Sequence, residues 1–125
     1  MKLFVRQSAA VAIVDITGRI VHGETAALRN TIRELIAAGD RKIVLNLSDV
    51  PYIDSSGIGE LVSSFVAVRR EGGTVKLLNL TRRVREVLQI VKLFTVFEIF
   101  DDEFAALETF SNPQERPREL RARAG

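Results

Sequence analysis

The stretch that decides the fold is KIVLNLSDVPYIDSSGIG, residues 42–59. Its first six residues form a short and almost continuously apolar run, which is typical of a strand buried on both faces of a parallel sheet. A short spacer then leads to Asp54 and to a helical pattern of apolar residues over positions 55–70, which two consecutive glycines close. The stretch therefore predicts a buried strand, a turn rich in serine and glycine, and a helix.

The same alternation of strands and helices extends in both directions from this stretch. Strands that alternate with helices of about 10 to 15 residues predict right-handed crossovers, and hence an α/β fold with a mostly parallel central sheet. Two β-branched runs at the start predict a hairpin, so the sheet should carry an antiparallel N-terminal edge strand and about four helices in all. We predict strands at 2–7, 10–17, 42–47, 74–80 and 95–100, and helices at 24–38, 55–70, 81–91 and from 101 onward, the last with Phe104, Leu107 and Phe110 on its apolar face.

Length and composition limit the class of protein. A chain of 125 residues has room for one domain with one hydrophobic core. It has no cysteine, no apolar run as long as the roughly 18 residues of a membrane span, and no secretory signal at the N-terminus. We therefore expect a cytoplasmic protein without a membrane span.

The net positive charge of the chain comes from its last 15 residues. The net charge of +2 comes from 18 basic and 16 acidic residues, and the four arginines and two glutamates of residues 111–125 account for all of it. The preceding 110 residues are neutral, which argues against direct binding of nucleic acid, since that needs clustered cations. We predict a folded domain over residues 1–110 and a disordered basic tail over residues 111–125.

The turn at residues 54–59 carries the most local information. Asp54 is a good N-cap because its carboxylate can accept hydrogen bonds from free N–H groups in the first helical turn. Gly57 and Gly59 are poor helix formers, each costing up to about 1 kcal/mol relative to alanine, so their presence needs a reason. Either another molecule approaches this turn closely, or the helix packs tightly against its neighbours.

These residues closely resemble a known family. The run Val-Leu-Asn-Leu-Ser at positions 44–48, followed by Tyr-Ile-Asp-Ser-Ser-Gly-Ile-Gly at positions 52–59, is similar to the STAS domain of bacterial anti-sigma factor antagonists. The resemblance covers residues 1–110 in the order of elements and includes the paired glycines before a strand. It implies a STAS-like single domain.

The resemblance also implies a regulatory role for the turn. In that family the serine after the aspartate is phosphorylated by an anti-sigma factor serine kinase, which makes Ser55 the expected phosphoacceptor. The unphosphorylated antagonist binds the kinase and frees a sigma factor, and a PP2C-type phosphatase restores binding after phosphorylation. The expected partner-binding residues are Asp54, Ser56, Gly57, Ile58 and Gly59.

One departure from the family pattern keeps a second role open. Many antagonists have Gly-x-Leu-Asp before the first helix, whereas this chain has Gly-Arg-Ile-Val at positions 18–21, so Val21 replaces the acid. The alternative is a constitutive STAS docking subunit of a lipid-transporting ABC system or of a stress-signalling assembly.

The sequence does not favour an enzyme. His22 is the only histidine, and no Gly-x-Ser-x-Gly elbow surrounds Ser55 or Ser56. No glycine-rich phosphate loop follows a strand, and the adjacent acids at 101–103 suit the start of a helix better than a metal. An arginine-rich helix start at residues 82–85 is interpreted as a solvated face. We therefore predict no catalytic residue, cofactor or metal.

Overall fold

A computed structural model describes residues 1–111 of the chain. Its five-stranded sheet has the order β1-β2-β3-β4-β5, with β1 antiparallel to β2 and all other pairs parallel. The predicted α/β class and the antiparallel edge strand are therefore confirmed. In chain order the elements are β1 (Lys2–Ser8), β2 (Val11–Thr17), α1 (Ala26–Ala37), β3 (Lys42–Asp49), α2 (Ser55–Arg70), β4 (Thr74–Leu78), α3 (Arg82–Ile90), a 3-10 turn (Leu93–Thr95), β5 (Ile99–Phe100) and α4 (Glu103–Ser111).

The central strand β3 is buried on both faces, as its apolar run predicts. Ile43 and Leu45 belong to the main core, together with buried residues of α1, α2 and α3. Val44 faces the other way and joins a smaller cluster with Leu78 and Phe110, which α4 covers. The domain therefore has three layers, with three helices on one face of the sheet and α4 on the other.

The prediction for the α4 face is only partly correct. Phe110 is buried and Leu107 packs beside it against the smaller cluster, but Phe104 is 67% exposed. The buried face of α4 is centred on Ala106 and Phe110, which are four residues apart. Phe104 lies two residues before Ala106, and at about 100° per residue it points to the opposite side of the helix.

The last strand is shorter than the sequence pattern predicts. Only Ile99 and Phe100 pair with β4, at Leu77 and Leu78. The N–H groups of Val96 and Phe97 instead donate to the carbonyl of Leu93 in the 3-10 turn. The prediction of a strand over residues 95–98 is wrong, because these local hydrogen bonds replace pairing with β4, which begins only at the Glu98 carbonyl, the acceptor for the Leu77 N–H.

The end of α4 bears on the predicted domain boundary. The helix ends at Ser111, the first residue of the predicted tail. The rest of that tail, residues 112–125, lies outside the residues that the structure describes. No helix within residues 1–111 is long and apolar enough to cross a lipid bilayer.

A polar network fastens α4 to the opening hairpin. The Arg6 guanidinium donates to both Asp15 carboxylate oxygens, with Nε–Oδ2 at 2.6 Å and Nη2–Oδ1 at 3.0 Å. Its two terminal nitrogens also donate to Glu103 at 3.1 and 2.8 Å. These hydrogen bonds lower the pKa of both carboxyl groups. One arginine therefore bridges β1, β2 and the start of α4.

We expect Arg6→Gln to lower the free energy of unfolding by about 1 kcal/mol at pH 7, since the three side chains are only partly buried and solvent screens them. The two carboxyl pKa values are lowered in the folded state, so this stabilisation is present above their unfolded values near 4 and is lost as pH falls further. Urea unfolding at pH 7 and pH 3 measures it. Arg33→Gln, on the exposed side of α1, is the control, and an equal loss for both variants would contradict the prediction.

Candidate functional site

The candidate site forms where the loop between β2 and α1 lies beside the segment between β3 and α2. Ile20 and Ile53 form an isolated parallel bridge between these two segments. The Ile20 N–H donates to the Tyr52 carbonyl at 3.1 Å, and the Asp54 N–H donates to the Ile20 carbonyl at 3.3 Å. These bonds hold the first turn of α2 against residues 20–22 at the carboxyl ends of the parallel strands.

Asp54 joins the two segments through its side chain. Its Oδ1 accepts a hydrogen bond from the Gly57 N–H at 3.0 Å, which makes it the predicted N-cap of α2. Its Oδ2 accepts from the His22 N–H, also at 3.0 Å. The hydrogen bond from His22, followed by that from Gly57, holds the pKa of the Asp54 carboxyl below its usual range. A carboxylate is therefore fixed at the start of the helix.

The two serines of the turn have different surroundings. Ser55 is exposed, and within residues 1–111 its hydroxyl has no hydrogen-bond partner. Ser56 is half-buried, and its Oγ lies 3.4 Å from Nδ1 of His22. The hydroxyl of Ser55 is thus the one presented to solvent.

The two glycines of the turn also differ, because close packing requires a glycine at only one of the two positions. A Cβ atom at Gly57 would lie 2.1 Å from the Ile20 carbonyl oxygen and 2.6 Å from Cγ1 of Ile53. A Cβ atom at Gly59 would have no neighbour within 4 Å. Close packing therefore accounts for buried Gly57, whereas exposed Gly59 leaves the helix surface open.

The predicted contact residues form a small and mostly accessible surface. Ser55 and Gly59 are exposed, and Asp54, Ser56 and Ile58 are half-buried. Ile58 packs partly against the main core, so only part of its side chain faces outward. The buried Gly57 shapes this surface from below. We call these six residues, 54–59, the turn surface.

Sequence reasoning missed two neighbours of the turn. The sequence predicts no role for His22, yet it contacts Asp54 through its backbone and Ser56 through its ring. Arg83 was interpreted as part of a solvated face; it is exposed, but its guanidinium stacks 5.5 Å from the Tyr52 ring centroid. Both contacts join residues about 30 positions apart, so no local sequence signal could reveal them.

The arrangement does not assemble a catalytic triad in the part of the chain that the structure describes. Asp54 accepts from the backbone of His22, so it does not orient the imidazole as a triad carboxylate would. Within residues 1–111 no three histidine, aspartate or glutamate side chains are grouped as metal ligands would be. The geometry suits recognition or modification of the turn surface.

Comparison with known families agrees with this geometry. The STAS domain model matches residues 3–106, which include all of the sheet except Lys2 and the whole turn surface. The chain belongs to the STAS domain family. The predicted resemblance is therefore confirmed, and the five-stranded mixed sheet with four helices is consistent with the STAS fold.

Named relatives of this STAS domain are regulators. The anti-sigma-B factor antagonist of Bacillus subtilis is 34% identical over 96 residues, which cover 76% of this chain and 86% of the relative. The anti-sigma F factor antagonist of Paenibacillus polymyxa is 29% identical over 98 residues, covering 78% and 84%. The Bacillus cell fate determinant SpoIIAA in its phosphorylated form shares the fold, with a TM-score of 0.68, 21% identity, and coverage of 87% of this chain and 99% of SpoIIAA.

The two glycines make a matched pair of variants. We expect Gly57→Ala to destabilise the domain by at least about 2 kcal/mol, because the added methyl group collides with the Ile20 carbonyl. Gly59→Ala should be neutral or stabilise by up to about 1 kcal/mol, because alanine is the better helix former and space is available. Chemical denaturation measures both, and similar free energies for the two variants would refute the assignment.

The double role of Asp54 predicts a pH dependence. The N–H groups of His22 and Gly57 bond different oxygens of Asp54, and Asp54→Asn replaces one of these oxygens by an NH2 donor, so one N–H group loses its acceptor. The pKa of Asp54 is lowered on folding, so its stabilisation is present above the unfolded value of about 3.9 and is lost as pH falls through the folded value. The variant should melt below the wild type at pH 7 and approach it near pH 3. A constant difference across this range would contradict the prediction.

Proposed function

We propose that this STAS domain is an anti-sigma factor antagonist that works as a phosphorylation-controlled partner switch, with Ser55 as the phosphoacceptor. The observation that carries the proposal is the exposed Ser55 hydroxyl at the capped start of α2, which has no hydrogen-bond partner among residues 1–111. Unphosphorylated, the turn surface binds an anti-sigma factor serine kinase in the cytoplasm. Phosphorylation releases the kinase, and a PP2C-type phosphatase resets the switch.

The first turn of α2 can accept a phosphate without refolding. Ser55 is exposed, so the modified side chain needs no new cavity. The helix N-terminus favours negative charge there, although the Asp54 carboxylate already uses the Gly57 N–H. The phosphoprotein should therefore keep the fold of the unmodified protein and differ from it mainly in surface charge.

The added charge is sufficient to control binding. A phosphoserine adds about −1.5 to −2 charge beside the carboxylate of Asp54. Burying that charge against a partner shaped for a neutral hydroxyl costs repulsion and desolvation. A cost of about 3 kcal/mol corresponds to roughly a hundredfold loss of affinity. Because the site is already compact, no conformational change is needed to transmit the signal.

The relatives support this proposal at a coarser level. Two of them are anti-sigma factor antagonists by name, and a phosphorylated form of SpoIIAA is known. Val21 stands in the same loop as His22 and is half-buried, so an apolar group replaces the acid that the resemblance implies. We infer that the cognate kinase has a less basic contact at this point.

The decisive experiment compares serine variants in binding to a candidate anti-sigma kinase. Ser55→Ala should bind as the unphosphorylated wild type does and should resist release by ATP. Ser55→Asp should bind on the order of tenfold or more weakly, because it carries a permanent but smaller charge. Ser56→Ala is the matched control and should still be phosphorylated and released.

Phosphopeptide mass spectrometry completes this test. After incubation with kinase and ATP, the phosphate should be found on Ser55, since the hydroxyl of Ser56 is half-buried beside His22. Equal affinity of Ser55→Ala and Ser55→Asp for the same kinase would contradict the phosphorylation switch and favour the constitutive docking role. Phosphate on Ser56 alone would reassign the acceptor.

A further inference from the structure

A cavity of about 520 Å³ lies at the opposite end of the sheet from the turn surface. Its floor is the face of the sheet that α4 covers, at the positions where β3 and β4 begin. Lys42 pairs with Thr74, and Val44 pairs with Lys76 in the parallel register, so these polar side chains continue the face that carries Val44. Thr109 and Phe110 near the end of α4 form one wall.

The lining of this cavity is strongly cationic. Arg41, Lys42, Arg69 and Lys76 contribute four positive charges, and Glu98 is the only acid among the lining residues that the structure describes. Lys42 and Arg69 have no ion pair within residues 1–111. We call this set of residues the basic cavity. Four cations around one concavity repel each other unless an anion lies among them.

Lys76 is a cation whose side chain is buried in the wall of the cavity. It is only 5% exposed, whereas most lysines in proteins keep the ammonium group in water. Its Nζ lies 4.2 Å from the Phe110 ring centroid and 5.5 Å from that of Phe100, and it pairs with Glu98 at 3.2 Å. Glu98 is itself 62% exposed, and Glu71, which does not line the cavity, pairs with Arg41 at 3.8 Å, so Lys42 and Arg69 are the two cations that these acids leave uncompensated. The Lys76 ammonium also donates to Thr109, so the two rings, Glu98 and Thr109 together hold it inside the cavity.

Arg69 and Lys42 complete the site from two other elements. Arg69 is exposed, and its guanidinium lies 5.7 Å from the Phe65 ring centroid with no hydrogen-bond acceptor within residues 1–111. Guanidinium groups bind phosphate and carboxylate in a planar, bidentate manner, whereas an ammonium acts as a point charge. The cavity thus offers both kinds of cation to one ligand.

We propose that the basic cavity binds a small anion that carries two or more phosphate or carboxylate groups. A volume of about 520 Å³ exceeds what a single phosphate ion needs and lies within the range of small-molecule sites. The chain's own end is a poor occupant, because residues 112–125 carry four arginines and two glutamates and have the same sign as the cavity. The basic cavity and the turn surface lie at opposite ends of β3, and the length of this strand places them roughly 20 Å apart. The proposed anion site is therefore independent of the proposed switch.

The test titrates the full-length protein with pyrophosphate and, separately, with citrate at low ionic strength, using calorimetry and thermal melting. At least one probe should bind and raise the melting temperature, and preference between the two distinguishes a phosphate from a carboxylate ligand. Lys42→Gln and Arg69→Gln should each weaken that binding about tenfold, because each removes a charge-assisted contact. Arg69 is exposed and Lys42 is half-buried, so these variants disturb the fold less than removal of buried Lys76 would.

Arg70→Gln is the matched control, because it removes the same charge from the adjacent position of α2 but does not line the cavity. It should change affinity less than about twofold. Amide NMR shifts should change at residues 72–74 and not at the turn surface. No binding of either probe, or an equal effect of Arg69→Gln and Arg70→Gln, would overturn the proposal, and neither result would bear on Ser55.

Discussion

The first turn of α2 reaches the loop between β2 and α1 only because position 57 has no side chain. The Ile20 carbonyl occupies the space in which a Cβ atom would stand, 2.1 Å away. That approach allows one carboxylate, Asp54, to bond the N–H groups of both Gly57 and His22. The same approach turns the Ser55 hydroxyl outward and leaves the Ser56 hydroxyl beside the imidazole. The accessibility of Ser55, the proposed phosphoacceptor, is thus a consequence of backbone packing.

The parallel sheet keeps two charged regions apart. The turn surface lies at the carboxyl ends of the strands, and its fixed group is a carboxylate; the basic cavity lies at their amino ends, where four cations meet. A separation of roughly 20 Å exceeds the screening length of about 8 Å at physiological ionic strength, so neither region needs to alter the field at the other. A single small domain therefore has room for both the proposed switch and the proposed anion site.

The second face of the sheet is held by a different balance of forces from the first. Three helices bury the main core, whereas α4 alone covers the smaller cluster and leaves Phe104 exposed. The network of Arg6, Asp15 and Glu103 compensates by fixing the start of α4 to the hairpin. Lys76 performs a related task at the other end of the helix, where it contacts Thr109 and the Phe110 ring. Polar contacts position this helix where apolar burial is limited.

The sequence by itself determined the features that depend on local interactions. The apolar run of β3 predicted a strand buried on both faces, Asp54 predicted an N-cap, and the pattern of residues 44–59 predicted the STAS family; each is confirmed. Only the tertiary structure decided which glycine is packed, that His22 joins the turn, that Phe104 is exposed and that four cations share a cavity. These depend on how distant segments meet, and hydrophobic periodicity and capping rules describe only neighbours along the chain.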